Sequence, residues 1–310
     1  MGPPAPSPLQ VDSAEAIHAA GSSQAYGACT PGWLDSTVMG ATSRLPDNWL
    51  GLRLAIGLRR IVTMRLADDS GFDVVRWGLR MRLHPRRNGC EKNALFTPQM
   101  YEGPERKELF GEIDRARAVG RGFVFIDVGA NVGLFSLAVA SHAGSDATIL
   151  AVEPEPENLR RLRFNVSVNP GIPIRVVPMA LGERRDLVAL ETDSHDHGGT
   201  RTRPLTEFER ARKDTVENCT PAVECCTLLE ALRQERIVSI DALKIDVEGA
   251  EDAILVPFFR DAEKTLWPKM IVIEDGHALW RSDLFSILSQ CGYIPVTRTR
   301  LNVILRRSVD

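Results

Sequence analysis

Four acidic residues each follow a short apolar run, and their carboxylates are the side chains most suited to chemistry. The runs are FVFI, ATILAV, ALKI and MIVI, and the acids are Asp127, Glu153, Asp246 and Glu274. Runs of this length and composition are typical of buried strands. In an open parallel sheet, ligands bind beyond the carboxyl ends of the strands. The four carboxylates are therefore predicted to share one rim, where they can bind an ammonium or hydroxyl group or accept a proton.

A glycine-bearing turn, DVGANVG, follows the first of these strands. Gly129 and Gly133 lie four residues apart, and an apolar helical pattern begins at Leu134. Glycine accepts positive φ and has no Cβ, so backbone N–H groups can approach a ligand closely, and a helix N-terminus adds unpaired donors. Glu153 lies 20 residues beyond Gly133, about the separation at which an acid binds ribose hydroxyls. The pattern predicts a site for a nucleoside cofactor.

The spacing of these glycines disfavours a nicotinamide or flavin dinucleotide. Such cofactors require GxGxxG, so that the pyrophosphate sits on the helix N-terminus. Here Asn131 stands at the second glycine position, and Asp127 precedes the turn. A negative charge there is unfavourable for pyrophosphate but favourable for a cationic amino-acid moiety. S-adenosylmethionine, which carries an ammonium, a sulfonium and a ribose diol, suits the arrangement better.

Strand and helix patterns alternate around this turn and position the acids. Helical spacing follows Pro154, and IRVVPM predicts a third strand that ends near Ala180-Leu181-Gly182. This β-α-β-α-β order predicts a parallel sheet with right-handed crossovers. Further predictions are an extra strand at 187–190, a polar loop at 193–204 that holds His195 and His197, and a terminal hairpin formed by 293–297 and 301–305.

The composition is that of an ordinary globular protein. The chain has 310 residues, 44% hydrophobic and 25% charged, with a net charge of -3, so no nucleic-acid partner is expected. The six cysteines form no CxxC pair, and we expect reduced thiols and no metal site. The first residues do not resemble a signal peptide, and no long apolar window occurs, so the expected location is cytoplasmic.

Three segments are predicted. Residues 1–46, rich in Pro, Ala, Ser and Gly, are predicted to form a disordered leader. Residues 47–90 are predicted to form an N-terminal helix with a small strand extension, and residues 91–310 are predicted to form the main domain. Residues 50–90 hold nine arginines against three acids. Their main interpretation is a packed helix with a solvated basic face, but weak contact with a membrane surface is an alternative.

Several motifs together resemble the FkbM family of S-adenosylmethionine-dependent methyltransferases. They are FIDVGANVGLFS, ILAVEPEPENL, the ALG after the third strand, and LKIDVEGAE. The resemblance covers roughly 90–305. It implies an α/β, Rossmann-like class I methyltransferase fold: a seven-stranded, mostly parallel sheet with an antiparallel C-terminal hairpin and helices on both faces. It also implies methyl transfer, usually to a hydroxyl and often on a sugar or natural product.

Matched motif by motif, the resemblance assigns roles to individual residues. It places Asp127, Gly129, Asn131 and Gly133 around the methionine part of the cofactor, Glu153 on the ribose, and Met179, Ala180 and Leu181 beside the adenine. It directs Asp246, Glu248 and Glu251 toward the methyl group and the acceptor. The family often has Leu-Asp-Asp before the fourth strand, where this chain has Leu228-Leu229-Glu230, so we assign nothing catalytic there.

Methyl transfer to an alcohol requires a general base near the oxygen. The candidates are Asp246, Glu248, His195 and His197, with His277 also considered. Structural alternatives stay open: a cofactor or loop hydrogen bond for Asp246, a helix-dipole partner for Glu248, and solvated loop positions for the histidines. Lys244 is predicted to pair with Asp246 or Glu248. A divalent metal on these acids or histidines is a further alternative.

The predicted function is therefore S-adenosylmethionine-dependent O-methylation of a glycan, glycolipid or secondary metabolite. One rival is an N-methyltransferase acting on another small molecule or a macromolecule, although an Asn-Pro-Pro-Tyr-like motif is absent at the fourth strand. Another rival is a cofactor-binding module without turnover. Neither the acceptor nor the oligomeric state follows from the sequence.

Overall fold

The computed structural model describes residues 24–67, 69–86, 88–191, 199–206 and 222–308. The helices are α1 (Trp33–Thr42), α2 (Trp49–Thr63), α3 (Gly89–Phe96), α4 (Gly103–Ala118), α5 (Leu134–Ala143), α6 (Pro156–Ser167), α7 (Leu228–Gln234), α8 (Glu251–Asp261) and α9 (Leu284–Gln290). The strands are β1 (Phe72–Arg76), β2 (Leu79–Leu83), β3 (Phe123–Val128), β4 (Ala147–Val152), β5 (Ile174–Val177), β6 (Ala180–Leu181), β7 (Asp186–Glu191), β8 (Arg201–Pro204), β9 (Ala222–Cys226), β10 (Ala242–Ile245), β11 (Met270–Glu274), β12 (Tyr293–Arg298) and β13 (Asn302–Arg307).

The main sheet has seven strands in the order β12-β13-β11-β10-β3-β4-β5. Strands β3, β4, β5, β10 and β11 pair in parallel, whereas β13 is antiparallel to β11 and β12 is antiparallel to β13. This confirms the seven-stranded, mostly parallel fold with its terminal hairpin. The strand order reverses between β3 and β10, which is where an open α/β sheet binds its ligand.

Helices cover both faces of this sheet. One apolar core joins it to α1, α4 and α5, and the second joins it to α7, α8 and α9. Because the central strands are buried on both faces, they consist of nearly continuous apolar runs, and the few polar residues within or next to them are conspicuous. No helix among the described residues is long and apolar enough to cross a membrane.

A second sheet, in the order β6-β9-β7-β8, lies beyond the end of β5. Strand β7 was predicted, but β8 falls inside the predicted polar loop at 193–204, and that part of the loop prediction is wrong. Pairing explains the difference: the polar run at 201–204 is extended because it forms an antiparallel ladder with β7. The predicted His195 and His197 lie outside the described residues.

The N-terminal part of the chain is more ordered than its composition suggests. The prediction of a disordered leader as far as residue 46 is wrong for 33–42, which form α1. Val38 and Met39 of α1 are buried in the same core as α4 and α5, and this burial offsets the cost of ordering a short segment. Strands β1 and β2 form their own two-stranded sheet and not an edge of the main one. The divisions at 47 and 91 stay predictions.

Candidate functional site

The turn after β3 is held between the ends of its two neighbouring strands. The backbone N–H groups of Gly129 and Ala130 both donate to Val152 O at 3.0 Å. Gly129 has φ +79°, and a Cβ there would lie 1.9 Å from the backbone oxygen of Asp246. Only glycine fits, because the turn passes directly against the loop that follows β10.

Two amide side chains hold the next part of the turn. Asn131 has φ +54°, a conformation that asparagine tolerates better than most residues. Its Oδ1 accepts hydrogen bonds from Asn88 Nδ2 at 2.7 Å and from Val132 N at 2.8 Å. Asn88 in turn caps α3 by accepting from Glu91 N. The cofactor turn is thus connected to the N-terminal helices.

Glu153 closes β4 and contacts the same turn. Its Oε2 accepts from Asn131 N at 2.7 Å, and its Oε1 accepts from Glu155 N at 2.8 Å. Burial raises its pKa to about 7, against the effect of these two hydrogen bonds. Each carboxylate oxygen has two lone pairs, so Glu153 retains capacity to accept from a ligand hydroxyl.

Glu153 lies in the wall of a narrow groove that continues past β6. Met179, Ala180 and Leu181 form one side of the groove, and Thr202 of β8 and Thr200 just before it also line the groove. The residues predicted to hold ribose and adenine are therefore adjacent in space. Gly133 lies apart from the groove lining and is the N-cap of α5, with φ +84°.

A larger cavity of about 720 Å³ adjoins the groove and shares Gly129, Asn131, Asp246 and Glu248 with it. Asp127 lies in its wall and is fully buried. Its Oδ2 accepts from Ser136 Oγ at 2.6 Å, whereas its Oδ1 has no hydrogen-bond partner among the described residues. A buried acceptor without a partner indicates a position for a ligand donor.

Lys244 and Asp246 form an ion pair in the wall of this cavity. Lys244 Nζ lies 2.9 Å from Asp246 Oδ2, and the lysine is almost fully buried. Burial lowers the pKa of Lys244, but the negative charges of Asp246, Glu102 and Asp127 outweigh it and raise the pKa well above its usual value. The ammonium group of Lys244 thus stays charged. Its ion pair with Asp246 confirms the predicted pairing.

Glu274 at the end of β11 faces the same carboxylate. Burial raises its pKa to about 8, and the charges of Asp246, Glu248 and Glu251 act in the same direction. Burial and the negative charge of Asp246 thus both favour the protonated form of Glu274.

The model of the methyltransferase FkbM domain matches residues 127–295, which is more than half of the chain. The chain belongs to the FkbM methyltransferase family. Its cofactor is S-adenosylmethionine. No curated protein matches the chain.

The solved structures that are similar to this FkbM methyltransferase include the following three. The S-adenosylmethionine-dependent methyltransferase of Agrobacterium tumefaciens is 12% identical over 79% of this chain and 72% of its own, with a TM-score of 0.41. Precorrin-6y C5,15-methyltransferase of Geobacter metallireducens is 14% identical over 70% of this chain and 92% of its own, with a TM-score of 0.37. WbdD is 14% identical over 70% of this chain, with a TM-score of 0.37, and the chain spans only 43% of its length.

The site of this FkbM methyltransferase fits the cofactor. The unpartnered Asp127 Oδ1 suits the ammonium group, and Glu153 would accept from the ribose hydroxyls with its remaining lone pairs. These residue assignments stay predictions.

Glu251 lines neither the groove nor the cavity, contrary to what the family resemblance implied. It is fully buried, and its Oε1 accepts from Val247 N at 3.0 Å and Gly249 N at 3.2 Å. Its Oε2 accepts from Trp280 Nε1 at 2.7 Å. Both oxygens thus hold the loop after β10, and this loop presents Glu248, at φ +58°, to both the groove and the cavity.

Two other positions considered from the sequence lie away from the cavity of the FkbM methyltransferase. His277 is largely exposed and contacts Asp275 Oδ1 at 2.6 Å. Glu230 forms a capping box with Thr227 at the start of α7, so its role is structural.

Tyr101 and Glu102 line the cavity, although neither was singled out as a site residue from the sequence. Glu102 has φ +43° and is the N-cap of α4. Burial raises its pKa to about 7, and its Oε2 has no hydrogen-bond partner among the described residues. Pro104 in the first turn of α4 marks the helix start in the sequence. However, no local pattern shows that this helix end meets the rim of the sheet.

Proposed function

We propose that this chain transfers a methyl group to a hydroxyl of a glycan, glycolipid or secondary metabolite. The observation that supports this is the Asp246 carboxylate, which forms an ion pair with Lys244 in the wall of the larger cavity. A hydroxyl must lose its proton during methyl transfer, so a base beside the acceptor is the feature that this reaction needs.

The cofactor supplies an electrophilic methyl group when it is bound. The chain holds it through Asp127, the Gly129 turn and Glu153, and positions the acceptor oxygen in the adjoining cavity. Such positioning supplies much of the rate enhancement, because displacement requires an in-line approach and the exclusion of water. The Asp246 carboxylate accepts the hydroxyl proton, while Lys244 fixes its orientation.

The polar side chains of the cavity support a hydroxyl-rich acceptor. Asn93, Tyr101, Glu102, Glu191 and Arg201 line it, and together they offer both donors and acceptors. Hydroxyls on a sugar ring or polyol can use both kinds of group. A flat apolar acceptor would leave these groups without partners, at a cost for each one that is buried.

The Asp246→Asn variant tests the proposal. We expect its single-turnover rate to fall by roughly 10² to 10⁴, the usual contribution of a general base, while calorimetry finds affinity for S-adenosylhomocysteine within a few fold of wild type. Asp275→Asn is the matched control, since Asp275 follows the end of β11 as Asp246 follows the end of β10, but it contacts His277 outside the cavity lining.

The acceptor assay uses a panel of saccharides and hydroxylated aromatic compounds, followed by mass spectrometry and NMR of the methyl carbon. An O-methyl product supports the proposal, whereas an N-methyl product or no turnover with any acceptor contradicts it. If Asp246→Asn retains the full rate, the base role of Asp246 is wrong and the His195/His197 segment becomes the next candidate.

A further inference from the structure

Helix α2 exposes an unusual number of large apolar side chains. Among the described residues, seven of the fifteen exposed large apolar side chains lie between 49 and 64. They are Trp49, Leu50, Leu52, Leu54, Ile56, Ile61 and Met64. Isolated exposed apolar residues need no explanation, but a cluster marks an interaction surface.

The exposed residues of α2 form rows along the helix. Leu50, Leu54, Ile61 and Met64 are separated by four, seven and three residues, so they lie on one side of the outer face. Arg53 and Arg60, seven residues apart, lie beside this row. Trp49, Leu52 and Ile56 flank the two arginines on the other side. The outer face of α2, defined by these nine residues, is thus apolar with a central basic stripe.

The fold does not require this outer face. The opposite side of α2 carries Gly51, Ala55 and Val62, which are buried, and α2 packs against α1. The inner side therefore provides the tertiary packing that holds the helix. The exposed apolar residues raise the cost of hydration without contributing to the core, which indicates that they serve another contact.

The positive charge on and around α2 indicates what kind of partner the outer face binds. Between 44 and 65 the chain has five arginines and one acid, Asp47. Arg53 lies over the Trp49 ring at 5.8 Å from its centroid. Arginines beside an apolar row, with a tryptophan at the helix end, are the composition of helices that lie in the interface of a bilayer.

We propose that the outer face of α2 binds an anionic lipid bilayer. The apolar rows enter the boundary between headgroups and acyl chains, and the guanidinium groups of Arg53 and Arg60 bind lipid phosphates. Their long side chains allow the charged ends to stay at headgroup level while the stems remain in apolar surroundings.

A second copy of the chain fits this surface less well. A symmetric dimer would place the same patch on both sides of the interface. The stripe formed by Arg53 and Arg60 would then face its own equivalent, and like charges opposed across an interface are unfavourable. Anionic phosphates remove that repulsion.

The lipid surface would lie near the acceptor cavity. Arg59 of α2 donates from Nη1 to Asn93 Oδ1 at 3.0 Å, and Asn93 lines the cavity. Binding through α2 would thus bring the cavity close to a membrane-anchored acceptor such as a glycolipid. This last step rests on the proposed function, but the binding itself does not.

Vesicle co-sedimentation with the full chain tests the proposal. We expect binding to phosphatidylglycerol–phosphatidylcholine vesicles at low salt, weak binding to pure phosphatidylcholine, and loss of binding at high salt because the charges are screened. Arg53→Gln with Arg60→Gln should weaken partitioning by about tenfold or more, and Leu54→Gln with Ile61→Gln should reduce it similarly.

Matched double variants serve as controls. Arg233→Gln with Arg260→Gln removes two exposed arginines elsewhere, and Val119→Gln with Val238→Gln changes two apolar residues that are more than 70% exposed. Both should bind as wild type does. Equal binding of wild type and the Arg53/Arg60 variant, or no binding of wild type to anionic vesicles, would overturn the proposal. So would a stable dimer in sedimentation velocity that Leu54→Gln with Ile61→Gln dissociates.

Discussion

Glu153 shows how one residue combines structural and binding roles. Its carboxylate accepts two backbone N–H groups, from Asn131 and Glu155, before any ligand is present. A simple alanine variant would therefore disturb the turn as well as any contact with ribose. The two effects can be separated only by changing the ligand and the protein together.

We expect Glu153→Gln to lose selectivity for ribose hydroxyls. Wild type should bind S-adenosylhomocysteine at least tenfold more tightly than its 2′,3′-dideoxy analogue, since hydrogen bonds to a charged group contribute roughly 1.5–3 kcal/mol. The variant should bind both ligands with similar affinity in calorimetry. A wild-type protein that does not distinguish the two ligands would show that Glu153 acts only through the turn.

At the scale of elements, the turn after β3 depends on close approach to the loop after β10. Gly129 connects the two, because the backbone oxygen of Asp246 occupies the space that a Cβ would need. The cofactor turn and Asp246, the proposed base, are therefore placed by the same backbone contact. A change at this contact should affect both stability and cofactor binding.

Gly129→Ala should be far more damaging than an alanine at another glycine with positive φ. The Cβ would collide with backbone and not with a flexible side chain, so we expect a loss of several kcal/mol together with loss of cofactor binding. Gly120→Ala is the control: φ is +65° there but nothing lies within 4 Å, so only about 1–2 kcal/mol of backbone strain is expected. Urea denaturation compares the two, and equal midpoints would contradict the steric argument.

At the scale of the whole molecule, the sheet gathers acids at one end. Burial raises the pKa of Glu153 to about 7 and that of Glu274 to about 8, and it also raises the pKa of Asp127. An ordinary glutamate titrates at 4.5. The folded protein thus binds more protons than the unfolded chain between these values, and its stability should fall as pH rises.

Glu274→Gln should reduce this pH dependence. The stabilising effect of a protonated Glu274 is fully present below pH 4.5 and is lost as pH rises through about 8. Wild type should therefore have a lower urea midpoint at pH 9 than at pH 6, and the variant should show a smaller difference. Glu263→Gln, at an exposed position between α8 and β11, should behave as wild type. An unchanged difference in Glu274→Gln would show that this carboxyl does not titrate in that range.

Local patterns predicted the main sheet, because its central strands are apolar runs and four of them are followed by or end at an acid. They failed where a segment takes its conformation from a partner. Helix α1 lies in a segment rich in Pro, Ala, Ser and Gly and is held by Val38 and Met39 in a core formed by later residues. Strand β8 is polar and extended only through its pairing with β7. Tyr101 and Glu102 carry no local signal for their place in the cavity.

Sequence alone was enough to indicate the family, the cofactor and the succession of strands and helices along the chain, since these depend on motifs and periodicity within short segments. Only the tertiary structure decided which acids face the cavity. Asp246 and Glu251 stand five residues apart in one motif, yet Asp246 lies on the cavity with Lys244, whereas Glu251 uses both oxygens within the protein. The reason is physical: burial, charge and hydrogen-bond partners come from residues that are distant in the chain and adjacent only after folding.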